Sequence, residues 1–202
     1  MNDGYVIRLM ALPDLGEVVE IHLKSFSGFF LSFLGRDFLM LLYRSILKHH
    51  EGIVFVALSE GKIQGFVAGV IRQKGFYQRL LKGNKWAFAI ATLGALLKRP
   101  SIAPRLIRAL RKPDEVGHAS AEACLMSIAV RPEMEGKGIG LRLVNAFCRT
   151  LAEQGVQAVC LTTDRDNNER VNCFYQRLGF RISRSFITPE GRAMNEYLIS
   201  LR

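Results

Sequence analysis

Two short segments hold the residue types that could do chemistry together. The first, VRPEMEGKGIGLRL from Val130 to Leu143, carries an apolar strand-like run into Gly136, Gly138 and Gly140 and then into a helical pattern. Glycines at such a junction let the backbone approach a ligand closely, and the free amides and positive dipole end of the following helix favour an anion. The spacing matches neither the dinucleotide GxGxxG pattern nor the P-loop, so the local physics suggests pyrophosphate binding without a Walker lysine. Glycines that serve only a tight strand-to-helix turn are the plainer alternative. The second segment, DNNERVNCFYQRLGF from Asp166 to Phe180, has Asn168 where a helix cap belongs and Val171, Phe174 and Leu178 at helical spacing. Tyr175 lies beside them and Gly179-Phe180 closes the unit. Taken alone, this is an amphipathic helix stopped by a glycine.

Other reactive side chains are sparse. Cys124, Cys148, Cys160 and Cys173 sit singly in apolar contexts, with no CxxC pair and no cluster of histidines. That pattern argues for a reducing compartment and against a zinc site or a disulfide framework, and no metal is expected. His22 shares an apolar stripe with Leu15, Val18 and Val19, which reads as a packed helix histidine.

The elements that must position these residues follow from periodicity and punctuation. Tyr5–Leu9 reads as a strand, and LPDLGEVVEIHLKSF starts a helix with Pro13 in its first turn. A Phe-rich connection (Phe26, Phe29, Phe30, Phe33) leads to a second helix near Arg36–Lys48. Gly52–Ser59 and Lys62–Arg72, joined at Glu60-Gly61, form a hairpin. Lys74 to Val116 reads as two or three helices broken at Gly83-Asn84 and at Pro100. Then come a strand (Ala121–Val130), a helix (Gly138–Gln154), a strand (Gln157–Thr163), a helix (Asn168–Leu178) and two strands, Phe180–Ile187 and Ala193–Leu201. Strand and helix in alternation imply a crossover unit with partly parallel pairing, so the class is α/β with a central sheet.

The chain of 202 residues, 49% hydrophobic and 23% charged, fits one globular domain over 1–202 and excludes a disordered or collagen-like protein. Its net charge of +10 is unevenly spread: no Asp or Glu occurs between Gly61 and Pro113, a stretch that holds 12 of the 28 basic residues and leaves 16 against 18 acidic ones elsewhere. Such a stretch is either a solvated face or a contact for an acidic ligand, an anionic membrane surface or nucleic acid. No nucleic-acid-binding motif accompanies it, so nucleic acid is not expected. Its uncharged run WAFAIATLGALL, Trp86 to Leu97, is too short for a bilayer, which needs roughly 20 residues, and reads as a buried or interfacial helix. MNDGYVIRLM lacks the basic-then-apolar layout of a signal peptide, so a soluble, cytoplasmic protein is expected, with peripheral membrane contact as an option.

A glycine loop after one strand, followed after the next strand by N-x-x-V-x-x-F-Y-x-x-x-G-F, resembles the GNAT superfamily of acetyl-coenzyme A-dependent N-acetyltransferases. The family's loop, Arg/Gln-x-x-Gly-x-Gly/Ala, is matched from position 135 to Gly140, except that Glu135 stands at its first position. The second motif runs from Asn168 to Phe180. The resemblance implies the GNAT fold: a mixed central sheet of about six to seven strands flanked by helices, here with a basic helical insertion over about 74–116 before the fourth strand.

It also implies roles. Pantetheine would insert between the splayed fourth and fifth strands, meeting backbone groups around Ile128, Ala129 and Val130. Amides of Gly136, Lys137, Gly138, Ile139, Gly140 and Leu141 would hold the pyrophosphate, with Lys137 compensating the misplaced charge of Glu135, and Asn168 would touch the pantetheine arm. Tyr175 matches the family's usual general acid, which protonates the departing thiolate. Glu122 has the spacing of a general base found in some members, with His118 as the alternative. Direct transfer from acetyl-coenzyme A to an amine leaves the four cysteines as packing residues. The acceptor is read as a small-molecule amine, an amino sugar or its nucleotide- or lipid-linked form. A protein or peptide amine and a non-catalytic acyl-coenzyme A-binding module are the alternatives, and the chain is expected to be a monomer or a homodimer.

Overall fold

The computed structural model describes residues 4–98, 100 and 121–201. Seven strands form one mixed sheet: β1 (Val6–Leu9), β2 (Gly52–Ser59), β3 (Lys62–Val70), β4 (Ala123–Val130), β5 (Ala158–Asp164), β6 (Arg181–Ile187) and β7 (Ala193–Ser200), in the order β1-β2-β3-β4-β5-β7-β6. Neighbours run antiparallel except β4 and β5, whose parallel pairing is the crossover expected from strand–helix–strand order.

The helices are α1 (Leu15–Ser25), α2 (Phe30–Phe33), α3 (Gly35–Lys48), α4 (Phe76–Lys82), α5 (Lys85–Lys98), α6 (Ile139–Glu153) and α7 (Glu169–Arg177). They bury the sheet from both sides, so the central strands are apolar on both faces. On β2, Val54 and Val56 point toward α1 and α3, where Val18, Val19, Leu39, Tyr43 and Ile46 form one core. The alternate residues Ile53, Phe55 and Ala57 join the second core with Leu143, Val144, Phe147 and Leu151 of α6, which recur at helical spacing. Leu15, Val18, Val19 and His22 are all buried on α1, as the stripe predicts.

Some details differ from the sequence reading. The Phe-rich connection holds a helical turn, α2, and the fourth strand starts two residues later than expected. The break at Gly83-Asn84 falls between α4 and α5 as read, whereas Pro100 onward lies largely outside the described residues, His118 among them. Among the described residues no helix is long and apolar enough to cross a membrane.

Candidate active site

The parallel pair β4–β5 is the weak seam of the sheet. The strands register only at Ala123 with Val159 and Cys124 with Cys160, and then they part. Two observations explain why. An extra residue in β4, Met126, breaks the register with β3 between Ala68 and Gly69, and a bulge of this kind bends its strand. β5 is meanwhile held on its other edge by β7 along its whole length, from Ala158–Ser200 to Asp164–Met194. From Leu125 to Val130 the β5-facing edge of β4 therefore has no strand partner among the described residues. Peptide groups on such an edge need partners, and an extended amide-bearing ligand supplies them.

A cleft of about 1320 Å³ runs along this opening. Ile128, Ala129 and Val130 line it, and so do Gly136, Gly138, Ile139, Gly140 and Leu141 beyond the strand end. Gly136 and Gly138 adopt φ of +77° and +76°, a left-handed backbone that non-glycine residues resist. That turn brings α6 in with Gly138 as its N-cap, without any side-chain cap. The first intrahelical bond runs from the Arg142 N–H to the Gly138 carbonyl, so the amides of Ile139, Gly140 and Leu141 have no helical acceptor. Three amides at the positive end of a 15-residue helix make an anion site at the cleft's rim.

Lys137 does not line the cleft; its Nζ turns back to the Met134 sulfur at 3.5 Å. The charge of Glu135 is met from elsewhere. Arg170, in the first turn of α7, places its guanidinium 2.8 Å from the Glu135 carboxylate, and both residues line the cleft.

Tyr175 is the buried residue of α7, packed edge-on against Phe174 and Phe180 and beside Tyr197, and it also lines the cleft. Burial, with a lesser contribution from nearby Cys124, pushes its phenol well above the ordinary tyrosine value, so the side chain keeps its proton. Asn168 lines the cleft at the start of α7, but its side chain does not cap the helix. Its Nδ2 donates instead to Thr163 Oγ1 at 2.7 Å and to the Asp164 carbonyl at 3.0 Å, which ties α7 to the end of β5. These Nδ2 bonds hold the side chain toward the strand, and its Oδ1 does not accept from the first amides of α7.

Glu122 is not brought to the cleft. It is exposed at the closed end of the seam, before the Ala123–Val159 rung, with its carboxylate 3.5 Å from Arg72. Cys124, Cys148 and Cys160 fit packing roles, whereas Cys173 is exposed on α7 and borders the cleft. Cys124 is buried, and its hydrogen bond to Cys160 and burial hold its thiol protonated, while burial pushes Cys148 up to about 11.

The opposite end of the cleft is walled by Phe26, Phe29 and Phe30 from the connection after α1 and by Phe186 and Ile187 of β6. Arg192 crosses this end. It makes a two-pronged bond to Asp164, with both oxygens 2.7 Å from one guanidinium nitrogen, and lies 5.2 Å over the Phe29 ring. The floor carries His22, 2% exposed. Its Nδ1 is 2.7 Å from the Tyr43 hydroxyl, the ring packs on Phe26, and the buried Nε2 has no partner among the described residues. Burial lowers its pKa to about 4, so the imidazole is neutral at physiological pH. The α1 stripe foretells that His22 is buried. That its ring borders a cleft depends on where β4 and β5 part, which no local pattern encodes.

A splayed parallel seam, a bulged strand and a glycine loop opening a helix make a cleft whose shape and free amides suit an extended ligand ending in phosphates. The family model for the acetyltransferase (GNAT) family matches residues 16–180. A mycothiol acetyltransferase of Arthrobacter sp. (strain FB24) is 43% identical over 53 residues, a segment that spans 26% of this chain and only 16% of that relative. The fold is shared with an N-acetyltransferase of Staphylococcus aureus Mu50 (TM-score 0.63, 14% identity, 98% of this chain and 99% of that one). It is shared as well with the ribosomal-protein-S18-alanine N-acetyltransferase of Escherichia coli (TM-score 0.59, 16% identity, 98% and 94%). The chain belongs to the GNAT family, whose members use acetyl-coenzyme A to acetylate amine acceptors.

Proposed function

We propose that residues 1–202 work as one GNAT domain, a cytoplasmic enzyme that moves an acetyl group from acetyl-coenzyme A directly to the primary amine of a small molecule. The observation that carries this reading is the edge of β4 from Leu125 to Val130, which has no strand partner among the described residues and leads to the amides at the start of α6. The residues fit the cosubstrate. The free edge around Ile128, Ala129 and Val130 offers amide partners to pantetheine, Asn168 borders the same opening, and the amides of Gly138 to Leu141 address the pyrophosphate. Acetyl-coenzyme A supplies an acyl group activated as a thioester.

The chain's part in the chemistry is positioning and proton handling. Attack forms a C–N bond at the acyl carbon, the C–S bond breaks, and the amine loses one proton while the sulfur gains one. Tyr175 supplies the proton to sulfur. The desolvation that discourages its phenolate penalises a thiolate in the same place, so the transfer is less uphill than the tyrosine's shift alone implies. We assign acceptance of the amine's proton to His22 in place of Glu122, because His22 borders the cleft and its buried Nε2 has no partner among the described residues, whereas Glu122 lies outside the cleft. A neutral, desolvated imidazole is a weak base, so it acts late, on the acidic N–H of the tetrahedral adduct.

Four phenylalanines and Ile187 around the acceptor end suit an amine with an apolar or sugar body, an amino sugar or its lipid-linked form. The partners that accompany this reading are that amine and an anionic membrane surface met by the basic stretch. The test is thiol release from acetyl-coenzyme A over a panel of amino sugars, polyamines and peptide amines. Release with amino sugars and none with peptides supports the reading. Binding of acetyl-coenzyme A with no release on any amine points to a non-catalytic module.

A further inference from the structure

Helix α5 is apolar on two faces, and among the described residues only one is packed. Phe88 is buried against Phe38, their rings 5.4 Å apart edge to face, and Thr92 beside it satisfies its hydroxyl on the Phe88 and Ala89 carbonyls. The other face carries Trp86, Ile90, Leu93 and Leu97, exposed by 84, 71, 54 and 78%. Their spacing of i, i+4, i+7 and i+11 puts them in one row along the helix. Single exposed apolar residues are ordinary on a protein surface, but a continuous row of four large ones marks an interaction surface.

The surroundings select the occupant. Lys82 and Lys85 are exposed at the N-terminal end of the row, and no acidic residue occurs anywhere from Gly61 to Pro113. A second copy of the chain would bring two such cationic stretches together, which like-charge repulsion opposes. A negatively charged lipid surface offers both an apolar layer for the row and counter-charge for the lysines. At 14 residues the helix reaches about 21 Å, too short to span a bilayer and suited to lying flat in its interface.

We propose that α5 is an interfacial helix that lays the Trp86–Ile90–Leu93–Leu97 row onto an anionic membrane, with Lys82 and Lys85 against the headgroups. The docking bears on the cleft. Leu96, on the flank of α5, packs on Leu34, which also touches Phe30 and Leu31 of the acceptor wall. A docked α5 therefore holds the acceptor end close to the lipid surface, where a lipid-linked amine would be presented. This last link rests on the transferase reading above, while the docking itself does not.

The experiment is built in, because Trp86 is the single tryptophan of the chain. Full-length protein is titrated with vesicles of phosphatidylcholine alone and of phosphatidylcholine with phosphatidylglycerol, read by Trp86 emission and by co-sedimentation. Anionic vesicles are expected to shift the emission to the blue and to carry the protein down, with both effects weakening at high salt. Ile90→Glu with Leu93→Glu should abolish binding, and Lys82→Gln and Lys85→Gln should each weaken it about fivefold. Circular dichroism and acetyl-coenzyme A titration of the same variants establish that the fold and the cosubstrate site persist. No shift with anionic vesicles at low salt overturns the proposal. So does equal binding to neutral vesicles, or light scattering that shows a dimer lost in the Leu93→Glu variant, which assigns the row to a second copy. Failure of acetyl-coenzyme A binding alone indicts the transferase reading and leaves the docking standing.

Discussion

The guanidinium of Arg170 sits 2.8 Å from the carboxylate of Glu135, and this pair joins the start of α7 to the glycine loop ahead of α6. Family members carry Arg or Gln at the loop's first position; here a carboxylate stands there, and the neighbouring helix brings the cation. Arg170→Ala leaves that carboxylate bare beside the phosphates and is expected to weaken acetyl-coenzyme A about tenfold, with Glu135→Gln in the same background restoring most of the loss. Calorimetric titration at two salt concentrations checks it. Both side chains are substantially exposed, so the thermal midpoint should hardly move.

The loop's backbone is a second point of control. Gly138 has φ of +76° with open space where a Cβ would go, so Gly138→Ala meets no clash but takes a strained left-handed conformation. That conformation costs roughly 1–2 kcal/mol. Relief of the strain rotates the first amides of α6 away from the phosphates. The expected result is a loss of acetyl-coenzyme A affinity larger than the loss of stability, read by titration beside thermal denaturation.

His22 gives the fold an acid-sensitive point. Its pKa is about 4 when folded, against about 6.5 when unfolded. Between those values the unfolded chain binds a proton that the native state refuses, so stability falls as pH drops from 6.5 to 4 and levels off below. The shift is worth about 3 kcal/mol. Asp14 acts in a lower window: the Arg8 guanidinium 2.6 Å away lowers its pKa, so its contribution is present above the ordinary carboxylate range and is lost as pH falls through its folded pKa. Urea unfolding at pH 7 and pH 5 should therefore show a larger drop in the parent than in His22→Gln. Equal drops would mean that the imidazole is hydrated or already charged. If His22 takes the amine's proton, the same variant also loses turnover on an active acceptor while its acetyl-coenzyme A affinity stays put.

Much of this arrangement is legible in the residues and some of it is not. Gly136 and Gly138 announce the strand-to-helix turn because few other residues accept its left-handed backbone, and the stripe of α1 places His22 inside because helical periodicity decides burial. The spacing of α7 points to Val171, Phe174 and Leu178 as its packed row, yet Val171 is exposed and Tyr175 is the buried residue, beside Phe174 and Phe180. The pairing of Glu135 with Arg170 depends on how two helices meet across the seam, and no local pattern carries that information. Asn168 has the identity of a cap yet braces β5, its Nδ2 donating to Thr163 and to the Asp164 carbonyl. Glu122 has a suggestive spacing, but the two rungs that close the seam leave it on the far side.

The central claim, that the splayed seam holds acetyl-coenzyme A for transfer with Tyr175 as proton donor, is tested most directly by thiol release on an active amine. Parent protein and Tyr175→Phe are compared at matched occupancy of acetyl-coenzyme A. The account predicts unchanged affinity for acetyl-coenzyme A and a fall in turnover of about 10²-fold or more, the scale of a lost general acid. Full turnover in Tyr175→Phe, or a parent protein that does not bind acetyl-coenzyme A, would contradict it.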